Sequence, residues 1–164
     1  MQISEEANPT LLRNFIHDNK SAGIISFNSG KGVARHNDIT HNGKGGVQVR
    51  SRACPELVRN RIFSERSFGV WVYEHGLGRF EDNDIVNNAW SGFQVEEGSA
   101  PIVVGNRLRG NRSAGIVVYK KTSEQAARAR VSRRNPKPGR PARLTHPRIE
   151  DHDEAEHDEN VEEH

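Results

Sequence analysis

In a chain of 164 residues, 33% hydrophobic side chains against 28% charged ones exclude burial of the whole length in one core. The formal charge of +2 is near balance and, averaged over the chain, points to neither a nucleic-acid nor a membrane partner. Cys54 is the sole cysteine, which excludes an internal disulfide and a cysteine-rich zinc site, and no apolar run approaches the length that crosses a bilayer.

The first residues, MQISEEANPTLLRN, lack the basic start and apolar run of a signal peptide, so a cytoplasmic or nuclear location is expected. Met1 to Ser4 (MQIS) align with VQVR and FQVE, because Gln2, Gln48 and Gln94 lie 46 residues apart. The chain therefore starts in the middle of a repeating unit, as a fragment of a longer repeat protein would. Such a start leaves open strand edges, and end-to-end self-association is expected of them.

The unit itself is 23 residues long. Asn14, Asn37, Asn60, Asn83 and Asn106 keep that interval, as do Gly23, Gly46, Gly69, Gly92 and Gly115, and Ile16, Ile39, Ile62, Ile85 and Leu108. Within each unit, short β segments such as Gly69-Val70-Trp71-Val72-Tyr73 alternate with Gly, Asn, Ser and Pro, and no helical stretch or LxxLxL signature intervenes. Three strands and three turns fill one unit, which predicts an all-β, right-handed parallel β-helix of about five coils over residues 1–121. Ile24, Val47, Val70, Phe93 and Ile116 form one inward ladder. Ser26, Val49, Val72, Val95 and Val118 form a second; Leu11, Ala34, Leu57, Phe80 and Val103 form a third, and the Ile16 row a fourth. The Asn14 row belongs at a bend, where stacked amides can bond from coil to coil. The Gly23 row marks either a positive φ or a close backbone approach.

The unit N-x-I-x-x-N-x-x-x-G-[IV]-x-V resembles the β-helix repeats of carbohydrate-binding proteins, sugar hydrolases and lyases. The phrases from Gly46 to Ile62, Gly69 to Ile85 and Ser91 to Leu108 are similar, more narrowly, to the β-helix of F-box proteins that select substrates for cullin-type ubiquitin ligases. That resemblance implies a protein substrate on the helix and ubiquitin-ligase components as partners. No F-box-like helical segment is present, so the resemblance implies the substrate-recognising part alone.

Outward positions on the most regular strand carry the candidate ligand-binding residues: Gln48, Trp71 and Gln94 in one row, Arg50, Tyr73, Glu96 and Tyr119 in the next. Aromatic and Arg anchors on an exposed sheet suit a protein or a glycan; stacking that merely stabilises the sheet, or cover by the C-terminal tail, is the plainer explanation. A different row, Phe15, Asp38, Arg61, Asp84 and Arg107, alternates charge and reads as ladder stabilisation. Glu74 and Glu97 stack one coil apart and are the weak catalytic candidates, since paired carboxylates could serve a glycosidase. They fall at a strand end with no denser acidic cluster, so the balance is against catalysis. His17, His36, His41 and His75 share no row, and no metal or cofactor is expected.

After Lys121 the period fails. Residues 122–164 are expected to be a disordered charged tail, with a short helix over 122–134 as an option because Thr122 can cap with Gln125. Arg128 to Arg148 is basic, which admits nuclear import or a nucleic-acid contact around Arg128–Arg140, though nucleic acid is not the expected partner. Glu150 to His164 is acidic, and His152, His157 and His164 could bind metal only weakly. The resulting expectation is a non-catalytic recognition module for a protein substrate, with a carbohydrate-binding or carbohydrate-cleaving β-helix as the alternative.

Overall fold

The computed structural model describes residues 1–96, 98–119 and 130–131. Every 23 residues the chain completes a triangular circuit of three short strands, which stack on the preceding circuit in parallel to build three sheets wound as a right-handed β-helix of about five coils. The first sheet, A, comprises β1 (Gln2–Ile3), β4 (Ile24–Ser26), β7 (Val47–Val49), β10 (Val70–Val72), β13 (Phe93–Val95) and β16 (Ile116–Val118). Sheet B runs through β2 (Thr10–Leu12), β5 (Val33–Arg35), β8 (Glu56–Val58), β11 (Arg79–Glu81), β14 (Ile102–Val104) and β17 (Arg130–Val131). Sheet C holds β3 (Phe15–His17), β6 (Asp38–Thr40), β9 (Arg61–Phe63), β12 (Asp84–Val86) and β15 (Arg107–Arg109).

Strict register makes each sequence row a physical ladder: Val70 pairs with Val47 and Phe93, Phe80 with Leu57 and Val103, Ile85 with Ile62 and Leu108. These rows meet inside the triangle and make the core. Each buried Val, Ile, Leu or Phe contributes roughly 1.5–3 kcal/mol. Phe80 and Phe93, both fully buried, meet in the core with an edge-to-face contact, their centroids 4.9 Å apart.

The bends are held by side chains. The backbone N–H and the Nδ2 of Asn60 both donate to Oδ1 of Asn83, at 2.9 and 3.0 Å, and the pattern repeats from Asn14 through Asn106. Each of these amides from Asn37 onward also donates to a carbonyl 26 residues earlier, as Asn83 does to Leu57. A second ladder runs five residues later through Asn19, Asn42, Glu65, Asn88 and Asn111. The residue before each rung takes a left-handed conformation, as at Arg59 (φ 53) and Ser64 (φ 53), and this turns the chain between sheets. The Gly23 row does not share that conformation. A Cβ on Gly69 would lie 2.6 Å from Gly92 O and 2.6 Å from Ile85 Cγ2, so close approach of backbones is what requires glycine there.

The charge row behaves as a ladder. Arg107 grips Asp84 through Nε and Nη2 at 2.7 and 2.6 Å, and Arg61 lies 3.6 Å from Asp38. Within the span expected to form the tail, Arg130–Val131 form β17, parallel to Ile102–Val103. Ile102 pairs with Arg130, five residues later than a 23-residue step would place its partner, so the period fails by an insertion and sheet B continues past it. A helix over 122–134 does not hold at these two residues: the unpaired edge of β14 offers them ladder hydrogen bonds. The rest of that helix and of the tail lies outside the described residues.

Candidate functional site

The seven candidate ligand residues take outward positions on or just after the strands of sheet A, because alternation sends Val70 and Val72 inward and Trp71 and Tyr73 outward, with Gln48 and Gln94 in register on either side of Trp71. The rings of Trp71 and Tyr73 stack at 4.0 Å and 19°. Tyr73 Oη donates to Gln48 Oε1 at 3.4 Å, and Gln48 Nε2 donates to Lys44 O at 2.9 Å. Glu96 Oε1 accepts from Trp71 Nε1 and, at 3.0 Å, from Gln94 Nε2. Cover by these rings leaves Gln48 and Gln94 only 8% and 7% exposed although both point away from the core.

Arg50 turns elsewhere. Its guanidinium lies 5.1 Å from the Phe27 ring centroid and 3.6 Å from Glu74. Glu74 is thus occupied by a cation, and Glu97, the other weak catalytic candidate, lies outside the described residues. His17 bonds Asp18 at 2.7 Å and His41 bonds Thr40 Oγ1 at 2.8 Å; among the described residues no three His, Cys, Asp or Glu side chains converge.

Beside the stacked rings, over β13 and β16, the surface dips into a hollow of about 470 Å³. Gln94, Glu96 and Tyr119, three of the seven, line it together with Phe68, Ala89, Trp90, Ser91, Arg112 and Ser113. Gln48, Arg50, Trp71 and Tyr73 do not line it; Trp71 acts through Glu96, whose carboxylate it fixes at the edge of the hollow. Phe68 bridges the two regions, 5.3 Å from the Trp71 ring and edge-on to Trp90 at 4.9 Å. Trp90 and Tyr119 stay 54% and 51% exposed. The hollow therefore offers two open aromatic faces, a fixed carboxylate acceptor, an amide and a guanidinium.

Phe68, Trp90 and Arg112 were not found from the alternation of the strands, because they sit in the turn before sheet A. A signal existed: Trp90 shares its row with Ser21, Lys44, Ser67 and Ser113, and a large ring stands out among small and polar turn residues.

The three stacked parallel sheets define the class, a right-handed parallel β-helix. The chain belongs to the right-handed β-helix family, whose "Right handed beta helix region" matches residues 1–132. Among curated proteins and among solved structures, nothing matches the chain.

Proposed function

We propose that the chain is a non-catalytic recognition module that binds a segment of a protein partner across sheet A, with one side chain of that segment seated in the hollow. The observation that carries this reading is the pair of half-exposed rings, Trp90 and Tyr119, in a hollow whose carboxylate is already fixed by Trp71 and Gln94. Trp, Tyr and Arg are the side chains that dominate binding energy at protein interfaces, and a pre-set acceptor loses little freedom on binding. The family match supports a β-helix module; the likeness to the substrate-binding β-helix of F-box ubiquitin-ligase proteins rests on the three phrases from Gly46 to Leu108.

A glycan is the second reading, favoured by a specific feature. The hollow sets an acceptor-only group, Glu96, near a donor-only group, Arg112, between aromatic walls. Sugar hydroxyls both donate and accept, so one ring could satisfy both. A displayed random-peptide library and a glycan array, each probed with the full chain and with its Trp90→Ala/Tyr119→Ala variant, separate the readings. Peptides retained by the native chain and lost by the variant are expected. Glycans showing that pattern instead would replace protein by carbohydrate as the ligand, and retention of neither would remove the recognition reading.

A further inference from the structure

The turn leading from sheet C to sheet A is stacked coil upon coil. Lys44 N–H donates to Ser21 O at 3.1 Å, Arg66 N–H to Asn42 O at 3.3 Å, Trp90 N–H to Ser67 O at 3.1 Å and Arg112 N–H to Asn88 O at 3.0 Å. This aligns positions 20–21, 43–44, 66–67, 89–90 and 112–113 along one corner. Each coil gives that corner one long exposed side chain: Lys20, Lys44, Arg66, Trp90 and Arg112. The other residues there are Ser21, Gly43, Ser67, Ala89 and Ser113, with no acid among them.

Five other arginines on the solenoid are offset by neighbours, Arg35 by Glu56, Arg50 by Glu74, Arg61 by Asp38, Arg79 by Glu81 and Arg107 by Asp84, whereas Arg13, Lys31, Arg52, Arg59 and Arg109 form no ion pair among the described residues and do not line this corner. Lys20, Lys44, Arg66 and Arg112 form no ion pair and no side-chain hydrogen bond among the described residues. Glu65, which directly precedes Arg66, is buried and accepts from Asn42, and Asp18, two residues before Lys20, is engaged by His17 and also feels Arg66. Arg112 and Trp90 belong to both the corner and the hollow, so the two surfaces are continuous.

We propose that this corner is a docking surface for an extended acidic segment of a protein partner, lying along the solenoid axis from Lys20 to Arg112 and meeting the hollow at Trp90. The proposal rests on the protein-recognition reading and names the partner's chemistry. Four coil steps of ~4.8 Å span about 19 Å, the length of roughly six extended residues. Single exposed charges bind weakly, but an uncompensated row raises the encounter rate and fixes the direction in which an anionic chain lies. A polypeptide suits the site better than a nucleic acid strand. The strand would carry phosphates past the Glu96 carboxylate, whereas a polypeptide can turn an amide N–H or a lysine toward it.

The test uses the full chain at low salt and a fluorescein-labelled peptide of about eight residues alternating glutamate and serine, read by fluorescence anisotropy. Saturable binding is expected, weakening as salt rises and falling roughly tenfold in Lys44→Glu/Arg66→Glu, whose thermal unfolding should match that of the native chain because neither side chain is bonded. Unchanged binding in that variant overturns the proposal, and so does tighter binding of an oligothymidylate of equal length. Absence of binding also overturns it; this is the result if the chain's own acidic residues 150–164 hold the corner. Tyr119→Ala, which touches the hollow and not the corner, keeps the two ideas apart. Loss there with none on charge reversal leaves the hollow standing and removes the corner, and the reverse pattern keeps the corner and removes the hollow.

Discussion

Glu65 puts a carboxyl group on one rung of a ladder otherwise made of asparagine, and it is only 2% exposed. Its two oxygens accept from the Asn42 backbone N–H at 2.6 Å and from Asn42 Nδ2 at 3.1 Å, as an asparagine oxygen would. What it lacks is the N–H that its neighbours Asn42 and Asn88 donate to a carbonyl 26 residues back. Burial raises its pKa from 4.5 to about 7 against the opposing pull of the two Asn42 bonds. The sign follows from linkage. Between pH 4.5 and about 7 the unfolded chain has released this proton while the folded chain holds it, so stability falls as pH rises through that window and levels off above it. The loss is on the order of 3 kcal/mol. Glu65→Asn restores the missing donor and should remove most of that decline; denaturant midpoints at pH 5 and pH 8 measure it, and an equal decline in the variant would show that Glu65 is not its source. The position of Glu65 was legible, since the N-x-I-x-x-N spacing puts a rung there. Its energetic consequence was not, because that depends on the rung being sealed from water, which spacing alone does not state.

Where neighbouring coils meet, the glycine row and the strand faces were readable to different degrees. Gly69 was marked by its period, but only the structure decides between the two reasons for glycine. An added methyl meets Gly92 O, a backbone atom held in the sheet, and cannot be relieved by a side-chain rotation. Gly69→Ala should therefore cost about 1–3 kcal/mol, whereas Ser113→Ala, at an exposed turn, should change stability by less than about 0.5 kcal/mol. Thermal unfolding of the two variants side by side checks the contrast, and equal shifts would point away from a backbone clash. The outward residues Gln48, Trp71, Tyr73 and Gln94 were legible because a strand's period of two admits one answer once the inward row is known. Phe68, Trp90 and Arg112 lie in turns, where side-chain direction follows from left-handed residues and rungs rather than from alternation. The aromatic face was thus half visible, and the hollow beside it was not.

At the scale of the molecule, each coil touches only the coils above and below, so stability is a sum of neighbour interfaces and the two ends are less supported than the middle. At one end β1, β2 and β3 are edge strands, with Met1, Leu12 and Phe15 exposed and Ile16 only partly buried. At the centre Ile39, Leu57, Ile62, Val70, Phe80 and Ile85 are all sealed and every strand is paired on both sides. Native-state hydrogen exchange should therefore be slowest in β7 through β12, close to the global unfolding limit, and faster by local opening in β1 through β3. Substitutions should spread in the same way. Phe80→Ala, which removes the ring packed on Phe93, should cost about 3–5 kcal/mol and lower protection in the central coils together. Leu11→Ala, near the open edge, should lower protection in the first coils while leaving β10 through β13 unchanged. If both substitutions lowered protection equally along the whole chain, the solenoid would be unfolding as one cooperative unit, and the nearest-neighbour account of its stability would have to be given up.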